Sequence, residues 1–216
     1  MIGRAPTWQG QMAHPTRVVL VRHGQTPLSI ERRYSGRGNP ALTDLGVRQA
    51  LAAAERVALE DNVAAVVSSP LDRAQQTAQA IVDRIGGQVI TDDDFVENDF
   101  GHWEGLTFAE AKARDPQLHA RWLGDLTVPA PGGESFAETA ERVIAANDRL
   151  LARHSGQTVV LVSHVTPIKS LLRHALDVGP QLLFRLHLDL ASVSVTEFFP
   201  DGGAVVRSVN DTAHLR

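Results

Sequence analysis

Four short apolar runs divide the chain, and each has the length of a buried β-strand. Runs of about four to eight apolar, mostly β-branched residues between polar or turn-forming residues favour strands that are buried on both faces. The four runs occupy residues 18–21, 64–67, 158–162 and 192–198. Three of them are followed by segments with helical periodicity. Because strands alternate with helices, we predict an α/β fold with a mostly parallel sheet.

Helix-start signals support the helical segments. Ser135 opens the motif Ser-Phe-Ala-Glu, which is a capping box, and apolar residues follow it at helical spacing. After the second strand, Ser69 can cap a helix and Pro70 suits its first position. Two more helices are predicted over residues 43–59 and 167–176.

A single folded domain accounts for the chain. Residues 1–16 contain Gly, Pro and Gln without periodicity, so we interpret them as a tail or linker and residues 17–216 as the domain. Of the 216 residues, 43% are hydrophobic and 21% are charged, which is typical of a protein that buries a core without disulfides. Residues 123–133 are rich in proline and glycine and are predicted to form a long loop of the kind that often borders active sites.

Charge and hydropathy narrow the class of function. The formal net charge is −4, and no run of Lys or Arg is long enough to suggest binding to nucleic acid. No apolar stretch approaches the ~20 residues needed to cross a bilayer, and the first sixteen residues lack the apolar core of a signal peptide. We therefore expect a cytoplasmic protein with no membrane partner. The absence of cysteine excludes thiol catalysis.

Polar side chains follow three of the predicted strands, at the point where each strand ends. Arg22 and His23 follow the first strand, Ser69 follows the second with Arg73 one turn into the next helix, and His164 follows the third. Ligands of open parallel sheets bind beyond the carboxyl ends of the strands, so we expect these side chains to converge. Two arginines and two histidines at helix N-termini suit a dianionic phosphoryl group. Since guanidinium groups can neutralise the phosphoryl oxygens, we predict neither a metal nor another cofactor.

These residues belong to a longer ordered set of motifs. The set resembles the histidine phosphatase superfamily, which has the phosphoglycerate-mutase-like fold. The motifs that carry the resemblance are Leu-Val-Arg-His-Gly-Gln-Thr from Leu20, Tyr-Ser-Gly-Arg from Tyr34, Leu-Thr-Asp-Leu-Gly from Leu42, Ser-Pro-Leu-Asp-Arg-Ala-Gln-Gln-Thr from Ser69, Glu-Asn-Asp-Phe-Gly-His-Trp-Glu-Gly from Glu97, Pro-Gly-Gly-Glu-Ser from Pro131, and Ser-His from Ser163.

The resemblance implies a fold and a set of roles. The fold would be a three-layer α/β/α sandwich with helices on both faces of the sheet. His23 would be the nucleophile and Glu97 the proton donor. Arg22, Arg73 and His164 would hold the phosphoryl group.

The chemistry of these residue types is consistent with those roles. His23 must attack as the neutral imidazole, and the charges of Arg22 and Arg73 should lower its pKa. His164 is then the better candidate for a cation. Glu97 has three aromatic residues close in sequence, which could screen its carboxyl from water so that it keeps a proton for the leaving group.

Five more residues are predicted to contact the substrate. The resemblance adds Ser35 and Gly36, and His102 is the residue of its neighbourhood that we expect to touch the leaving group. Ser29 stands where many relatives have Asn, so its shorter side chain would reach the phosphate through water. Val165 stands where many relatives have Gly, and its N–H would face the phosphate.

Within the superfamily, further stretches resemble the acid phosphatase half of actinobacterial ribonuclease H/acid phosphatase fusions, which are related to α-ribazole phosphatases. That resemblance implies a phosphomonoesterase that forms the C-terminal half of such a fusion, with residues 1–16 as the end of a linker. α-Ribazole phosphate, sugar phosphates and phosphoglycerates all stay open as substrates. The sequence pattern does not decide the oligomeric state.

Two alternative functions stay open. A phosphoglycerate mutase would use the same catalytic residues, but mutases generally carry a longer insertion than the stretch between Gly105 and Ser135 can provide. A catalytically inactive phosphate-binding or interaction module is the second alternative. All five expected catalytic residues are present, which favours an enzyme.

Overall fold

The computed structural model describes residues 14–216, and within that range six strands form one sheet in the order β3-β2-β4-β1-β5-β6. The strands are β1 (Thr16–Arg22), β2 (Val63–Ser68), β3 (Val89–Thr91), β4 (Thr158–Ser163), β5 (Val193–Phe198) and β6 (Ala204–Asp211). The α-helices are α1 (Pro27–Ile30), α2 (Asp44–Val57), α3 (Asp72–Ile85), α4 (Phe108–Arg114), α5 (Pro116–Gly124), α6 (Phe136–Arg153), α7 (Val165–Leu176) and α8 (Leu182–Arg185).

The sheet is mostly parallel, as predicted. Four strands, β1 to β4, run parallel to one another. The other two are antiparallel, since β5 pairs with β1 and β6 pairs with β5 in the antiparallel sense. Alternate residues of β1 enter different cores. Val18 and Leu20 pack with α6 and α7, while Val19 and Val21 pack with α2 and α3. A strand with a core on each face needs apolar residues throughout, which explains the continuous runs in the sequence and gives a three-layer sandwich.

The sequence did not predict two of the strands, and it placed the start of a third too late. β3 has only three residues, and β6 is half-buried along most of its length, so neither shows an uninterrupted apolar run. β1 begins at Thr16, which the sequence assigned to the tail. The rest of that predicted tail, residues 1–13, lies outside the described residues.

Helix starts were predicted with mixed success. The capping box of α6 is present, with the N–H of Glu138 donating to Ser135 Oγ at 3.2 Å and the N–H of Ser135 donating to the Glu138 carboxylate at 2.8 Å. The prediction for α3 was wrong, since the helix begins at Asp72 rather than beside Ser69. The Ser69 hydroxyl lies instead against a histidine from another strand end, a contact between distant segments that local signals do not reveal.

A third hydrophobic core lies beyond the two that flank the sheet. It joins Phe100 and Trp103, from the loop after β3, with residues of three helices. These are Trp122 of α5, Phe136 of α6 and Leu183 of α8. Part of the predicted 123–133 loop also belongs to this core. The loop is shorter than predicted, because α5 continues to Gly124. Within residues 14–216, every helix is too short or too polar to span a bilayer.

Candidate active site

The carboxyl ends of β1, β2 and β4 bring the predicted catalytic residues together. His23 follows β1 and His164 follows β4, and the centroids of their rings lie 5.1 Å apart. Ser69 follows β2, and its hydroxyl lies 2.7 Å from Nε2 of His164. Arg73 comes from the first turn of α3 and is fully buried. The convergence expected from parallel strand ends is therefore present.

Four polar atoms of this group are buried without a hydrogen-bond partner among the described residues. They are Nε of Arg22, Oγ of Ser35, Nε of Arg73 and Nδ1 of His164. An unpaired buried polar atom is destabilising by about 1 to 3 kcal/mol, and most such atoms are paired in folded proteins. Both guanidinium atoms are donors only, so the missing partner is an acceptor. The arrangement fits an anion with several oxygen atoms.

His23 is set up as a neutral nucleophile. Its Nδ1 lies 2.7 Å from the carbonyl oxygen of Gly24, and because a carbonyl only accepts, Nδ1 must carry the proton. The lone pair is then on Nε2. Burial lowers the pKa of His23 well below its ordinary value, and the charges of Arg22 and Arg73 lower it further. The predicted effect of the two arginines is present, although burial is the larger cause.

His164 differs from its predicted state. We expected it to be the cation of the pair, but its pKa is also held well below the ordinary value. Burial is the first cause, and the charges of Arg73, His23 and Arg22 follow. Sequence reasoning missed this because the sequence does not show that the ring is completely buried. Without a bound anion, His164 is neutral.

Arg73 is anchored by a loop that follows α1. It donates from Nη1 to the carbonyl of Gly38 at 2.8 Å and from Nη2 to the carbonyls of Ser35 and Gly36 at 3.1 and 3.0 Å. The loop is held in turn by Glu104, whose carboxylate accepts the N–H groups of Gly36 and Gly38. Among the described residues, Nε of Arg73 has no partner, so it is free to donate to a ligand. Glu104 therefore has a structural role.

Glu97 lies in the same cavity as His23 and is buried. Its Oε1 accepts the backbone N–H of Asn98 at 2.8 Å and that of Thr166, at the start of α7, at 3.2 Å. Phe100 lines the cavity beside it. The two backbone bonds fix the carboxyl group at the mouth of the phosphoryl site.

The cavity beside this group has a volume of about 300 Å³, and its described lining includes Arg22, His23 and Glu97 but neither Arg73 nor His164. Its described lining includes Ser29, Ser35 and Val165, as predicted for substrate contacts. Ser29 is less available than expected, because its hydroxyl donates to the carbonyl of Thr26 at 2.7 Å and accepts the N–H of Thr26 at 2.9 Å. The bond from the N–H of Thr26, together with the N–H of Ser29 donating to Oγ1 of Thr26 at 3.2 Å, forms the capping box of α1.

The structure places two other predicted contacts away from the cavity lining. The described lining residues include neither Gly36 nor His102. Gly36 is occupied on both sides, since Glu104 binds its N–H and Arg73 binds its carbonyl. His102 lies in a 3₁₀ turn, Gly101–Trp103. Its backbone N–H donates to the carbonyl of Pro131 at 2.8 Å, and its ring lies against Gly132.

Sequence reasoning missed several residues of the cavity. Lys169 lines it and donates from Nζ to the carbonyl of Leu183 at 2.8 Å. Burial lowers the pKa of Lys169, against the attraction of Glu97. Its position four residues after Val165 puts both on the same face of α7, and that spacing could have identified it. Burial likewise lowers the pKa of Arg22 to about 10, although Glu97 acts in the opposite direction.

Metal-binding groups are not assembled in the described part of the chain. Residues 14–216 contain no group of three or more His, Cys, Asp or Glu side chains that could hold a metal ion. Arg22, Arg73 and Lys169 supply positive charge at the site. The prediction of a metal-free site stays a prediction.

Comparison with known proteins identifies the family. The model of the histidine phosphatase superfamily (branch 1) matches residues 18–212. The bifunctional protein Rv2228c of Mycobacterium tuberculosis is 56% identical over 211 residues, which cover 98% of this chain and 58% of that protein. Phosphoserine phosphatase 1 of Hydrogenobacter thermophilus is 32% identical over 200 residues, which cover 92% of this chain and 94% of that enzyme.

Comparison with solved structures supports the same family. A mycobacterial glucosyl-3-phosphoglycerate phosphatase superposes with a TM-score of 0.83 at 30% identity, over 91% of this chain and 100% of that one. The chain spans less than two thirds of the length of its mycobacterial relative.

Proposed function

This chain belongs to the histidine phosphatase superfamily, and we propose that it hydrolyses phosphomonoesters without a metal, through a phosphohistidine on Nε2 of His23. One observation carries the proposal: Arg22, Arg73 and His164, which act on or lie beside the ring of a neutral histidine, each have a buried polar atom without a partner among the described residues. Phosphatase activity itself is supported by the family and by relatives with that activity in their names.

The first half-reaction forms the phosphohistidine. The lone pair on Nε2 of His23 attacks phosphorus as the bond from phosphorus to the ester oxygen breaks. Glu97 gives its proton to the departing oxygen, so that an alcohol leaves. The carbonyl of Gly24, which accepts from Nδ1, stabilises the positive charge that develops on the ring.

The second half-reaction returns the enzyme to its starting state. Water attacks phosphorus, the bond from phosphorus to Nε2 breaks, and its electron pair returns to the ring. The Glu97 carboxylate takes a proton from the attacking water. Inorganic phosphate leaves, and one carboxyl group has served both steps.

Arg22, Arg73 and His164 bind the oxygens of the phosphoryl group in both steps. If the Ser69 hydroxyl donates to Nε2 of His164, the proton of the neutral ring is on Nδ1. The unpartnered Nδ1 then offers an N–H to a phosphoryl oxygen. A bound dianion would also favour protonation of His164, so the cation that we predicted from the sequence belongs to the complex.

Water is favoured over a second alcohol as the acceptor. The segment between Gly105 and Ser135 supplies only the short helices α4 and α5 as a cover. Phe108 and Phe184 line the cavity and are 50% and 47% exposed, so its entrance is open to solvent. Easy access of water distinguishes a phosphatase from a mutase, which must protect its phosphoenzyme.

A fusion to a ribonuclease H half stays a proposal for the natural protein. It is supported by the mycobacterial relative, which is named bifunctional and is longer than this chain. A cytoplasmic location and the absence of a nucleic-acid partner for this chain likewise stay predictions.

The test is phosphate release from a panel of phosphomonoesters in the presence of EDTA. We would compare the wild-type protein with His23→Ala and with His174→Ala, which removes an exposed histidine from the last turn of α7. Activity should survive EDTA and the control substitution and disappear in His23→Ala. Quenching with ³²P-labelled substrate should trap a label that is stable to alkali and lost in acid.

Other outcomes would replace the proposal. Activity that requires a metal, or that persists in His23→Ala, would contradict it. Transfer of the label to an added alcohol in preference to water would indicate a mutase. Phosphate binding without any turnover would indicate an inactive binding module.

A further inference from the structure

Aromatic rings form a continuous wall on one side of the cavity. The rings of Tyr34 and Phe100 lie 4.8 Å apart between centroids, those of Phe100 and Trp122 lie 6.3 Å apart, and those of Trp122 and Phe136 lie 4.5 Å apart. Phe184 continues the series at 5.8 Å from Phe136. All five residues line the cavity. They come from the loop after α1, the loop after β3, α5, α6 and α8, so the wall exists only in the folded chain.

Two aromatic rings at the entrance are left partly uncovered. Phe108 of α4 and Phe184 of α8 are 50% and 47% exposed although both line the cavity. Exposed apolar surface that borders a concave site is commonly the surface that a ligand covers. Each ring therefore has a face that an apolar ligand could bury.

Polar side chains beside the wall are already engaged. Tyr34 Oη lies 3.1 Å from Nε2 of His119. Arg33 donates to the carboxylates of Glu31 and Glu110. The exceptions among the described residues are the indole N–H of Trp122 and the hydroxyl of Ser35, which are buried without a partner.

Charged side chains line the same cavity. Lys169 interacts electrostatically with Glu97 and Arg22, which belong to the phosphoryl site. The cavity lining thus divides between charged side chains that suit a phosphoryl group and an aromatic wall with few hydrogen-bonding groups.

From this division we infer that the preferred substrates are phosphate esters of alcohols that carry an aromatic or similarly flat apolar group. The inference rests on the proposed function for its chemistry and on the aromatic wall for its specificity. A polyhydroxylated leaving group would lose its hydration on entering and find few free partners, whereas an aromatic ring would exchange water for apolar contact. Esters of sugars and of small hydroxy acids should therefore be poor substrates.

The kinetic test compares benzyl phosphate with glucose 6-phosphate and 3-phosphoglycerate. Benzyl phosphate and glucose 6-phosphate are both esters of primary alcohols, so that pair differs mainly in the group that enters the cavity. We expect kcat/KM for benzyl phosphate to be at least about tenfold higher, since apolar discrimination of this size is common in enzyme pockets. Equal or better hydrolysis of either of the other two esters would overturn the inference and leave the proposed function intact.

Matched variants locate the preference in the wall. Phe184→Ala and Phe108→Ala remove half-exposed rings, so the fold should tolerate both. Phe199→Ala is the control, because Phe199 follows β5 at the opposite edge of the sheet. The two cavity variants should lose preference for benzyl phosphate several-fold with little change for glucose 6-phosphate, and the control should match wild type. An unchanged preference in both cavity variants would contradict the role of the wall.

A binding measurement separates the two proposals. Benzylphosphonate cannot be hydrolysed, and titration calorimetry should show it binding at least about tenfold more tightly than methylphosphonate. If the protein hydrolyses no ester but keeps this preference, the proposed function fails and the assignment of the cavity stands. Equal binding of the two phosphonates would overturn the assignment even in an active enzyme.

Discussion

Replacing Arg142 by Met should loosen the segment that carries the proton donor. Arg142 comes from α6 and forms two hydrogen bonds with the carboxylate of Glu134, at 2.9 and 3.0 Å. It also donates to three backbone carbonyls around the proton donor, those of Asp94 at 2.7 Å, Val96 at 2.9 Å and Glu97 at 3.1 Å. Met keeps most of the apolar stem and removes all five bonds.

The size of the effect follows from burial. The side chains of Arg142 and Glu134 are 17% and 22% exposed, so the pair is shielded but not fully desolvated. Breaking a fully buried pair costs about 3 to 5 kcal/mol, and we expect a loss of about 2 to 4 kcal/mol at this partly exposed site. A misplaced Glu97 should also lower kcat about 10- to 100-fold, with a smaller change in KM.

Acid should reduce the difference in stability between this variant and wild type. Burial alone would raise the pKa of Glu134, but hydrogen bonds from Arg142 and from the N–H of Asp99 outweigh it and hold the pKa below its ordinary value. A carboxyl with a depressed folded-state pKa stabilises the fold above its unfolded pKa, about 4.3, and that contribution is lost as the pH falls through the folded value. The difference in stability should thus shrink below about pH 4, and the part due to the three carbonyl bonds should remain.

Urea denaturation at pH 7 and at pH 3.5, together with steady-state kinetics at pH 7, would test this reasoning. Arg149→Met is the matched control, because Arg149 lies on the same helix, is 55% exposed and forms ion pairs with the carboxylates of Asp92 and Asp94. A double-mutant cycle with Glu134→Gln would separate the ion pair from the carbonyl bonds. If Arg142→Met behaves like Arg149→Met in both stability and kcat, Arg142 does not position Glu97.

Three further predictions concern close packing, loop anchoring and pH. In Gly46→Ala the new Cβ would lie 2.1 Å from the carbonyl oxygen of Gln25, in the loop after β1, so chemical denaturation should show a loss of about 1 to 3 kcal/mol in the free energy of unfolding. The control Gly124→Ala places its Cβ within 4 Å of no atom and should be neutral or slightly stabilising. Glu104→Ala frees the two N–H groups of the loop that anchors Arg73, so the inhibition constant of inorganic phosphate should rise about tenfold, with a smaller rise in Glu104→Gln; an unchanged constant would exclude the anchoring role. Because His23 and His164 have depressed pKa values, the unfolded chain binds protons that the folded chain does not, and stability should fall as the pH drops below about 6.5. His23→Ala should show a shallower acid slope in denaturation curves measured between pH 5 and pH 7, and parallel slopes would contradict the depressed pKa.

Local patterns in the sequence determined much of the framework. Strands buried on both faces are rich in apolar residues, so β1, β2 and β4 were visible as uninterrupted runs, and β5 was visible although polar residues interrupt it. The capping box at Ser135 involves residues three apart, and such local chemistry is readable without the fold. The joint position of Arg22, His23 and His164 followed from one rule about parallel strands, because polar residues after each strand end must share an edge.

Only the tertiary structure decided the features that depend on residues far apart in the chain. The neutral state of His164 comes from complete burial and from four neighbouring groups contributed by other segments. Ser69 looked like a helix cap and instead contacts His164, while His102 looked like a substrate contact and packs against Gly132. The aromatic wall joins five segments, none of which shows by itself that its ring faces a cavity. Sequence spacing encodes local geometry, but burial, charge state and cavity shape are set by the packing of distant segments.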